Sequence, residues 1–352
     1  MPAASSTTGF ISDTGLRTAR KCRIRPASNH WKHFNPRPIP GSPSTDQGIT
    51  IHVVEIPLIK DHNFAYGVIE PVTTGLRRIT ARNPSAFTFH GTGTYILGEG
   101  EVAVIDPGPN DQAHVQTLLD SVANEQVTHI IVTHCHRDHS PAAEPLKAAT
   151  GAPTYAYGPH GGTASNPTEN LEEGVDRNFV PDVRVRDGER ITGNGWTLEC
   201  LHTPGHTSNH MCYAWNEGNA LFSGDHVMGW STTVIIPPDG NMTDYLSSLD
   251  KLLTRNEDCF WPTHGAPIKD PLPYLTALIE HRLQRIETIR TLLESEDLRI
   301  TDMVPNMYPD IQPELRSAAG LSTLASIQHL EQLGEVHPIA GSGSDTYFRI
   351  SR

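Results

Sequence analysis

The chain has 352 residues, which is enough for one large domain and a second small one. It contains 40 Asp and Glu against 27 Lys and Arg, and seven of these bases lie in residues 1–45 beside a single acid. Residues 46–352 therefore hold 20 bases and 39 acids, a formal charge of −19. So acidic a body excludes broad, charge-driven binding to nucleic acid, and no DNA partner is expected.

Cysteine usage and hydropathy point to a cytoplasmic protein. The five cysteines are odd in number and show no CxxC spacing, which argues against a disulfide framework and for a reducing compartment. No run of about 18 apolar residues occurs, so no membrane span is predicted. The amino terminus lacks the apolar segment of a secretory signal.

Residues 1–48 have the composition of a disordered extension, and they end in a Pro, Gly and Ser cluster. Residues 49–272 then alternate strand-like and helix-like segments, which predicts one catalytic-sized domain of the α/β class. Strands are predicted at 101–106, 127–133, 197–201, 210–215 and 220–223, and helices at 112–124 and 243–254.

Residues 273–352 have a different sequence pattern, with helical segments in place of alternating strands and helices, and they are predicted to form a separate small domain. A long helical pattern covers 274–295, and shorter helices are predicted around 301–306, 312–319 and 322–333. A β-hairpin is predicted to follow. Three helices before a hairpin is the order of a winged helix-turn-helix.

A tight group of histidines follows the predicted strand at 127–133. His134 and His136 lie two residues apart, so they project to the same side of an extended chain. A turn after them lets Asp138 and His139 face the same cavity. Imidazole nitrogens and carboxylate oxygens are ligands that zinc accepts, and three His with one Asp in six residues predict a metal site.

Three further turns carry single candidate ligands, each after a predicted strand. The first is His202-Thr-Pro-Gly-His206, where the spacing leaves the choice between His202 and His206 open. The second is Asp225, after a short apolar strand, and the third is His264, before a glycine. Each of these would be a weak signal alone.

Taken in chain order, these segments resemble the metal-binding signature of the metallo-β-lactamase superfamily. The likeness covers about residues 50–270 and includes the upstream Asp106-Pro-Gly segment. It implies a four-layer αββα sandwich, and it favours His206 over His202 as the ligand. It also implies that Asp106 holds a ligand loop from behind the metals.

The resemblance implies a complete dinuclear ligand set. One metal would be bound by His134, His136 and His206, and the second by Asp138, His139 and His264, with Asp225 bridging the two. Zinc is the expected metal, with iron and manganese as alternatives. Two such ions can hold a water between them and lower its pKa, so a dinuclear zinc hydrolase using a metal-bridging hydroxide is predicted, with Asp138 as the catalytic carboxylate.

Three residues near this set are predicted to contact substrate. His210 matches a family position near the site, and Thr232 and Thr233 fall in the loop after the strand that ends at Asp225.

The substrate stays open among alternatives. The chain also resembles the β-lactamase-like protein 2 group, although Gly93 replaces the Asn of its GTNTY segment. This likeness implies either endonucleolytic cutting of single-stranded RNA or hydrolysis of a small ester or thioester such as hydroxyacylglutathione. The third alternative is a winged-helix regulatory or interaction protein that carries a metal domain. Residues 281–352 hold seven Arg against ten acids, which favours a packing or homodimerisation role for the small domain over DNA binding.

Overall fold

The computed structural model describes residues 55–161, 174–309 and 311–351. The predicted extension at 1–48 lies outside these residues. The described elements belong to one compact unit that spans His52–Arg352. Two large β-sheets and a small third sheet organise this unit, with six α-helices among the described residues.

The first sheet has seven strands that follow one another in chain order. Strands β1 to β4 pair antiparallel, and β4 to β7 pair parallel. The strands are β1 (Ile69–Thr73), β2 (Leu76–Thr80), β3 (Gly93–Glu99), β4 (Glu101–Ile105), β5 (Gln126–Ile131), β6 (Thr154–Ala156) and β7 (Val183–Arg184).

The second sheet has six strands in the order β13-β12-β11-β10-β9-β8, and all pairs are antiparallel except β11 with β12. The strands are β8 (Arg190–Gly193), β9 (Trp196–His202), β10 (Met211–Trp215), β11 (Ala220–Gly224), β12 (Cys259–Pro262) and β13 (Ile268–Lys269).

The main hydrophobic core lies between the two sheets. Tyr95 and Ile131 from the first sheet share it with Tyr213, Phe222 and Trp261 from the second. Alternate residues of each strand point into this core because side chains of a strand alternate between its two faces. The two sheets are thereby fixed face to face.

The opposite face of the first sheet is covered by helices α1 (Gln112–Ser121) and α2 (Ala143–Thr150). Val104 of the sheet packs there in one cluster with Leu118 and Leu146 of the helices. Asp111 caps the amino-terminal end of helix α1, because its side chain accepts a hydrogen bond from the His114 amide at 2.9 Å.

Helices α3 (Met242–Leu253) and α4 (Pro271–Ser295) follow the strands of the second sheet. Lys251 of α3 donates to the carbonyl of His202 at 2.6 Å, which ties this helix to the end of β9. Helix α3 also contacts α4 and the later helix α6 (Arg316–Gln332). These contacts join the sandwich to the carboxyl-terminal region.

The carboxyl-terminal region has the element order of a winged helix. Strand β14 (Leu298–Arg299) and helix α5 (Ile300–Met307) precede α6, and the hairpin of β15 (Val336–Ala340) and β16 (Tyr347–Ile350) follows it. The predicted break between helices at 312–319 and 322–333 is wrong, because α6 continues through Gly320. Gly320 is an interior residue of this continuous helix and marks no turn.

The structure agrees with the predicted fold class: two mixed β-sheets with helices form an α/β sandwich, and elements in the order of a winged helix follow it. Within the described ranges, no helix combines the length and apolarity needed to cross a membrane. The carboxyl ends of β4, β5, β9, β11 and β12 meet at one edge of the sandwich. The hydrogen bond from the Met211 amide to the Thr133 carbonyl, 2.9 Å long, joins the two sheets at that edge.

Candidate metal centre

The seven predicted ligands lie together at this edge, each in a turn that follows a strand. Their donor atoms fall into three overlapping groups, and within each group all the atoms lie within 4.8 Å of one another. The groups are His134, His136 and His206; His134, His139 and Asp225; and Asp138, His139 and His264. All seven side chains are buried.

The first group consists of three imidazoles. Nε2 of His134 lies 3.0 Å from Nδ1 of His136, and Nε2 of His206 lies 3.2 Å from the same atom. Nitrogens bound to one tetrahedral zinc at 2.0–2.1 Å are about 3.3 Å apart. The three nitrogens are therefore spaced as ligands of a single ion would be.

The second group combines imidazoles with carboxylates. Oδ2 of Asp138 lies 3.2 Å from Nε2 of His139 and 3.1 Å from Nε2 of His264. Oδ2 of Asp225 lies 3.4 Å and 3.3 Å from the same two nitrogens. Since Asp225 also groups with His134, it stands between the two sets of donors.

Four of the five imidazoles are fixed through Nδ1, which leaves Nε2 as the inward donor atom. The acceptors are Thr133 Oγ1 for His134 at 3.0 Å, Asp106 Oδ2 for His139 at 3.0 Å, the Val234 carbonyl for His206 at 2.8 Å and the Gly91 carbonyl for His264 at 3.2 Å. Metal-binding histidines are oriented in this way in proteins, because the outer bond fixes both tautomer and ring direction.

Asp106 joins two of the ligand segments. It accepts hydrogen bonds from the Thr133 amide and hydroxyl at 2.8 Å each, from the Thr263 hydroxyl at 2.9 Å and from His139. Its own backbone has φ +48°, an uncommon conformation for a residue other than glycine. The structure thus places Asp106 behind the ligands, in the buttressing position that the sequence predicted.

The turn before His206 depends on Gly205. Its φ of +138° favours glycine, and a Cβ there would lie 2.3 Å from the Cα of Tyr245. The absence of a side chain lets the turn lie directly against helix α3, and His206 is carried inward by it. His202 instead donates from Nε2 to the Ser208 carbonyl at 3.0 Å and stacks on Tyr157.

The pKa values of the histidines differ between the two groups of ligands. Burial, together with the neighbouring imidazoles, holds the pKa of His134 and His136 well below its usual range, so these ligands are neutral. Burial also opposes protonation of His264, but Asp225 and Asp138 outweigh it and raise the pKa of His264 to about 10. The carboxylates thus create a strongly negative pocket, which is the environment that a bound cation requires.

Two observations show that these residues suit a pair of metal ions. One is the spacing of the ligand atoms, and the other is a buried ligand atom that lacks a hydrogen-bond partner. Oδ1 of Asp225 is buried and has no hydrogen-bond partner among the described residues. Buried polar atoms are nearly always paired in proteins, so an orphaned atom at the centre of a His and Asp cluster indicates a metal ligand.

The cluster opens into a cavity of about 230 Å³. His136, Asp138 and His264 lie at its floor, and Phe87 and Trp230 form part of its sides. The wall contributed by the carboxyl-terminal region is mostly apolar; it consists of Arg282, Tyr308, Ile311, Leu315, Ala318, Ala319 and Ser322. The winged-helix region therefore helps to enclose the site.

The three residues predicted to contact substrate have different positions. Thr232 lines the cavity and is half-buried. Thr233 also borders it, but its hydroxyl donates to the backbone carbonyls of Asp225 and His226. A substrate contact from His210 does not agree with the structure: its ring is fully buried, bonds to Thr203 at 2.9 Å and accepts from the Asp225 amide at 3.2 Å. His210 holds the backbone of Asp225 instead.

Two features of the site were missed by the sequence analysis. Thr92 donates to Oδ2 of Asp138 at 3.1 Å and is itself held by Asn83. The second missed feature is Arg78. Its side chain is fully buried, donates to the Gly265 carbonyl at 2.8 Å and fills the space beside Gly93. A Cβ at Gly93 would lie 2.4 Å from the Arg78 Nε, so the glycine leaves the space that this guanidinium occupies. The departure from asparagine at Gly93 is the feature of the sequence that is linked to this contact.

Comparison with protein families agrees with this geometry. The family described as the metallo-beta-lactamase superfamily matches residues 88–264, and the beta-lactamase associated winged helix domain matches residues 300–342. The chain belongs to the metallo-β-lactamase superfamily, and it is a metallo-hydrolase with a candidate metal site of His and Asp side chains.

Among individual proteins, the chain is similar to a beta-lactamase-like protein 2 homolog of Caenorhabditis elegans, with 32% identity over 260 residues, 71% of this chain and 82% of the relative. An atrochrysone carboxyl ACP thioesterase of a Cryptosporiopsis species is 29% identical over 231 residues, 64% of this chain and 65% of the relative. The crystal structure of a beta-lactamase domain protein from Burkholderia ambifaria shares the fold, with a TM-score of 0.69, 20% identity and coverage of 86% of this chain and 99% of that one.

Proposed function

We propose that this protein is a dinuclear zinc hydrolase that cleaves a small acyl thioester or ester. The observation that carries the proposal is the cavity: the His and Asp cluster lies at the floor of a half-open cleft whose carboxyl-terminal wall is mostly apolar. Such a wall suits the acyl chain of a substrate, whereas the polar floor suits its reacting carbonyl.

The proposed zinc ligands are the seven clustered side chains. His134, His136 and His206 would hold one ion, and Asp138, His139 and His264 the other, with Asp225 shared. When bound, two zinc ions supply Lewis acidity towards the substrate carbonyl and lower the pKa of an attacking water. Imidazole nitrogens and carboxylate oxygens are donors that zinc accepts, and iron and manganese are the alternatives for the same set.

Asp138 is the proposed proton carrier. Its Oδ2 is occupied by Thr92, His139 and His264, and none of these three contacts uses Oδ1. In hydrolysis, the water oxygen bonds to the acyl carbon and the carbon–sulfur bond breaks. One water proton passes to Asp138 and from there to the leaving thiolate, so that a carboxylic acid and a thiol are released.

The cavity favours an acyl substrate over RNA. The residues that line it include one arginine and no lysine, and the other basic groups are the imidazoles of the metal cluster, His136, His206 and His264. Proteins that bind single-stranded RNA use a positively charged groove along several phosphates, with aromatic rings that stack on bases. The thioesterase among the relatives also supports the acyl substrate.

We place this activity in the cytoplasm. The four cysteines within the described ranges, Cys135, Cys200, Cys212 and Cys259, are all free thiols. Free thiols are maintained in reducing compartments.

The test is a parallel assay on purified full-length protein whose zinc content is measured. The substrates are S-lactoylglutathione, acyl N-acetylcysteamine thioesters, an acyl-homoserine lactone and single-stranded RNA. We expect turnover of at least one thioester or ester, and its loss in Asp138→Ala protein that still contains metal. Cleavage of RNA alone, or full activity in metal-containing Asp138→Ala, would overturn the proposal.

A further inference from the structure

Arg282 of helix α4 is a buried cation at the wall of the cavity. Only 4% of its surface is exposed, and it is one of the residues that line the space in front of the metal cluster. Charged side chains that are buried to this degree are almost always paired with an opposite charge.

Arg282 has no such pair among the described residues. Its Nη2 donates to the Thr233 carbonyl, and its guanidinium carbon lies 5.2 Å from the centre of the Tyr245 ring. Its Nε is buried without a hydrogen-bond partner. None of the ion pairs among the described residues involves Arg282, so the Thr233 carbonyl and the hydroxyl and ring of Tyr245 are the groups that offset its charge.

Two further basic side chains lie close to Arg282 on helix α4, although Asp138 and Asp225 line the same cavity. Arg285 lies one turn further along the same helix, over the Tyr308 ring at 4.6 Å. Burial and these two arginines lower the pKa of His281 to about 3, as expected in a region of positive potential. Metal ions at the floor of the cavity would raise this potential further.

We propose that Arg282 binds an oxyanion of the substrate, so that the acyl thioester cleaved here carries a carboxylate or phosphate group. The proposal deepens the proposed function and rests on it for the identity of the reaction. A guanidinium presents donors in a planar fork that matches the oxygens of carboxylates and phosphates. The carboxylate would lie on the acyl chain, whereas the phosphate would lie on the thiol carrier.

A purely structural role for Arg282 predicts different behaviour. If the side chain only clamped the Thr233 loop, its loss would slow all substrates alike. An oxyanion-binding role instead predicts loss of the preference for charged substrates. The discriminating quantity is therefore a ratio of kcat/KM values, measured within one variant on a charged substrate and its neutral isostere.

The kinetic arm uses zinc-loaded full-length protein and two matched substrate pairs. S-glutaryl N-acetylcysteamine is compared with its 4-carbamoylbutanoyl isostere, and butyryl-4′-phosphopantetheine with butyryl-pantetheine. We expect the wild type to prefer the anionic member of one pair, and Arg282→Gln to lose about 10- to 100-fold of that preference, the usual effect of removing a hydrogen bond to a charged group. Which pair responds distinguishes the carboxylate from the phosphate.

Arg290→Gln is the matched control, because Arg290 lies on the same helix and pairs with Glu335 at 2.6 Å away from the cavity lining. It should keep the wild-type preference. Arg282→Lys retains the charge without the fork and should retain part of the preference. Melting temperature and zinc content are measured for each variant.

A binding arm separates this proposal from the proposed function. Calorimetric titration of the same proteins with glutarate and with inorganic phosphate needs no turnover. We expect Arg282→Gln to bind the responsive anion about tenfold more weakly than wild type and Arg290→Gln. Failure of all thioesters and esters would refute the proposed function alone. Equal anion affinity in wild type and Arg282→Gln, or an unchanged substrate preference, would overturn the role of Arg282.

Discussion

His139 Nδ1 and Asp106 Oδ2 are 3.0 Å apart, and both side chains are buried. The bond joins a candidate metal ligand to a residue that also holds the Thr133 backbone and the Thr263 hydroxyl. One carboxylate therefore sets the direction of an imidazole and the relative position of two ligand loops. The precision of the site depends on this single buried group more than on any one loop.

Asp106→Asn should weaken metal binding while the protein stays folded. The asparagine side chain has one acceptor oxygen instead of two, so its NH2 group would face a donor: either the Thr133 amide or the three donors that now share Oδ2. The hydrogen bonds that orient His139 are thereby weakened. Substitutions behind metal ligands typically cost 10- to 100-fold in metal affinity, and we expect a loss in this range. Zinc competition with a chromogenic chelator measures it. Unchanged zinc affinity in a folded variant would contradict the role given to Asp106.

Thr92→Val should lower turnover without removing metal. The hydroxyl of Thr92 donates to Asp138, and the substitution removes that bond with little change in volume. A hydrogen bond to a charged group contributes about 1.5–3 kcal/mol, so kcat should fall about 10- to 100-fold with a small change in KM. Steady-state kinetics on the responsive substrate provide the measurement.

Thr92→Ser is the control for this prediction, because serine keeps the hydroxyl. It should recover most of the activity, and the zinc content of both variants should equal that of the wild type. If serine were as slow as valine, the missing methyl packing, and not the hydrogen bond to Asp138, would explain the loss.

The sequence predicted the seven clustered residues because each one follows a strand whose apolar pattern is easily recognised. Parallel and antiparallel strands of a sandwich end at common edges, so residues such as His134 and His264 meet although 130 positions separate them. The choice between His202 and His206 needed the family pattern. In the structure the two lie on opposite sides of the turn that Gly205 permits.

The supporting residues could not be predicted in the same way. Thr92, Arg78 and Arg282 reach the site from a loop, a strand and a distant helix, and nothing in the local spacing marks them. His210 shows the converse: it is close to the site in sequence, but both of its ring nitrogens are used by Thr203 and the Asp225 amide. Proximity to a motif therefore did not establish which way a side chain faces.

Gly205→Ala should destabilise the protein and weaken its zinc binding. A Cβ at this position would lie 2.3 Å from the Cα of Tyr245, and the φ of +138° is unfavourable for alanine. Overpacking against backbone and conformational strain together should cost about 3 kcal/mol of unfolding free energy. Displacement of His206 should lower zinc affinity as well. Urea unfolding and zinc titration measure the two effects.

Gly188→Ala is the matched control, because its φ is also positive, +79°, but an added Cβ would meet nothing within 4 Å. It should cost only about 1 kcal/mol through backbone strain and leave zinc binding unchanged. Equal destabilisation of the two variants would show that the contact with Tyr245 is unimportant.

The stability of the protein should fall as the pH falls from about 6.5, in part because of His281. Burial, with Arg282 and Arg285 nearby, lowers the pKa of this histidine from 6.5 to about 3 in the folded chain. The unfolded chain therefore takes up a proton first as the solution is acidified. The stabilisation due to the neutral ring is complete above pH 6.5 and is lost progressively towards pH 3.

Replacement of His281 by glutamine should flatten this dependence. The unfolding free energy of wild type minus that of His281→Gln should decrease by about 2 kcal/mol between pH 7.5 and pH 5, since one proton contributes up to about 1.4 kcal/mol per pH unit. Urea unfolding at each pH gives the difference, and His337→Gln, a substitution of an exposed histidine in β15, supplies the baseline. Metal loss at low pH affects all three proteins alike. A difference in unfolding free energy that stayed constant across this range would therefore show that the pKa of His281 is not lowered in the folded chain.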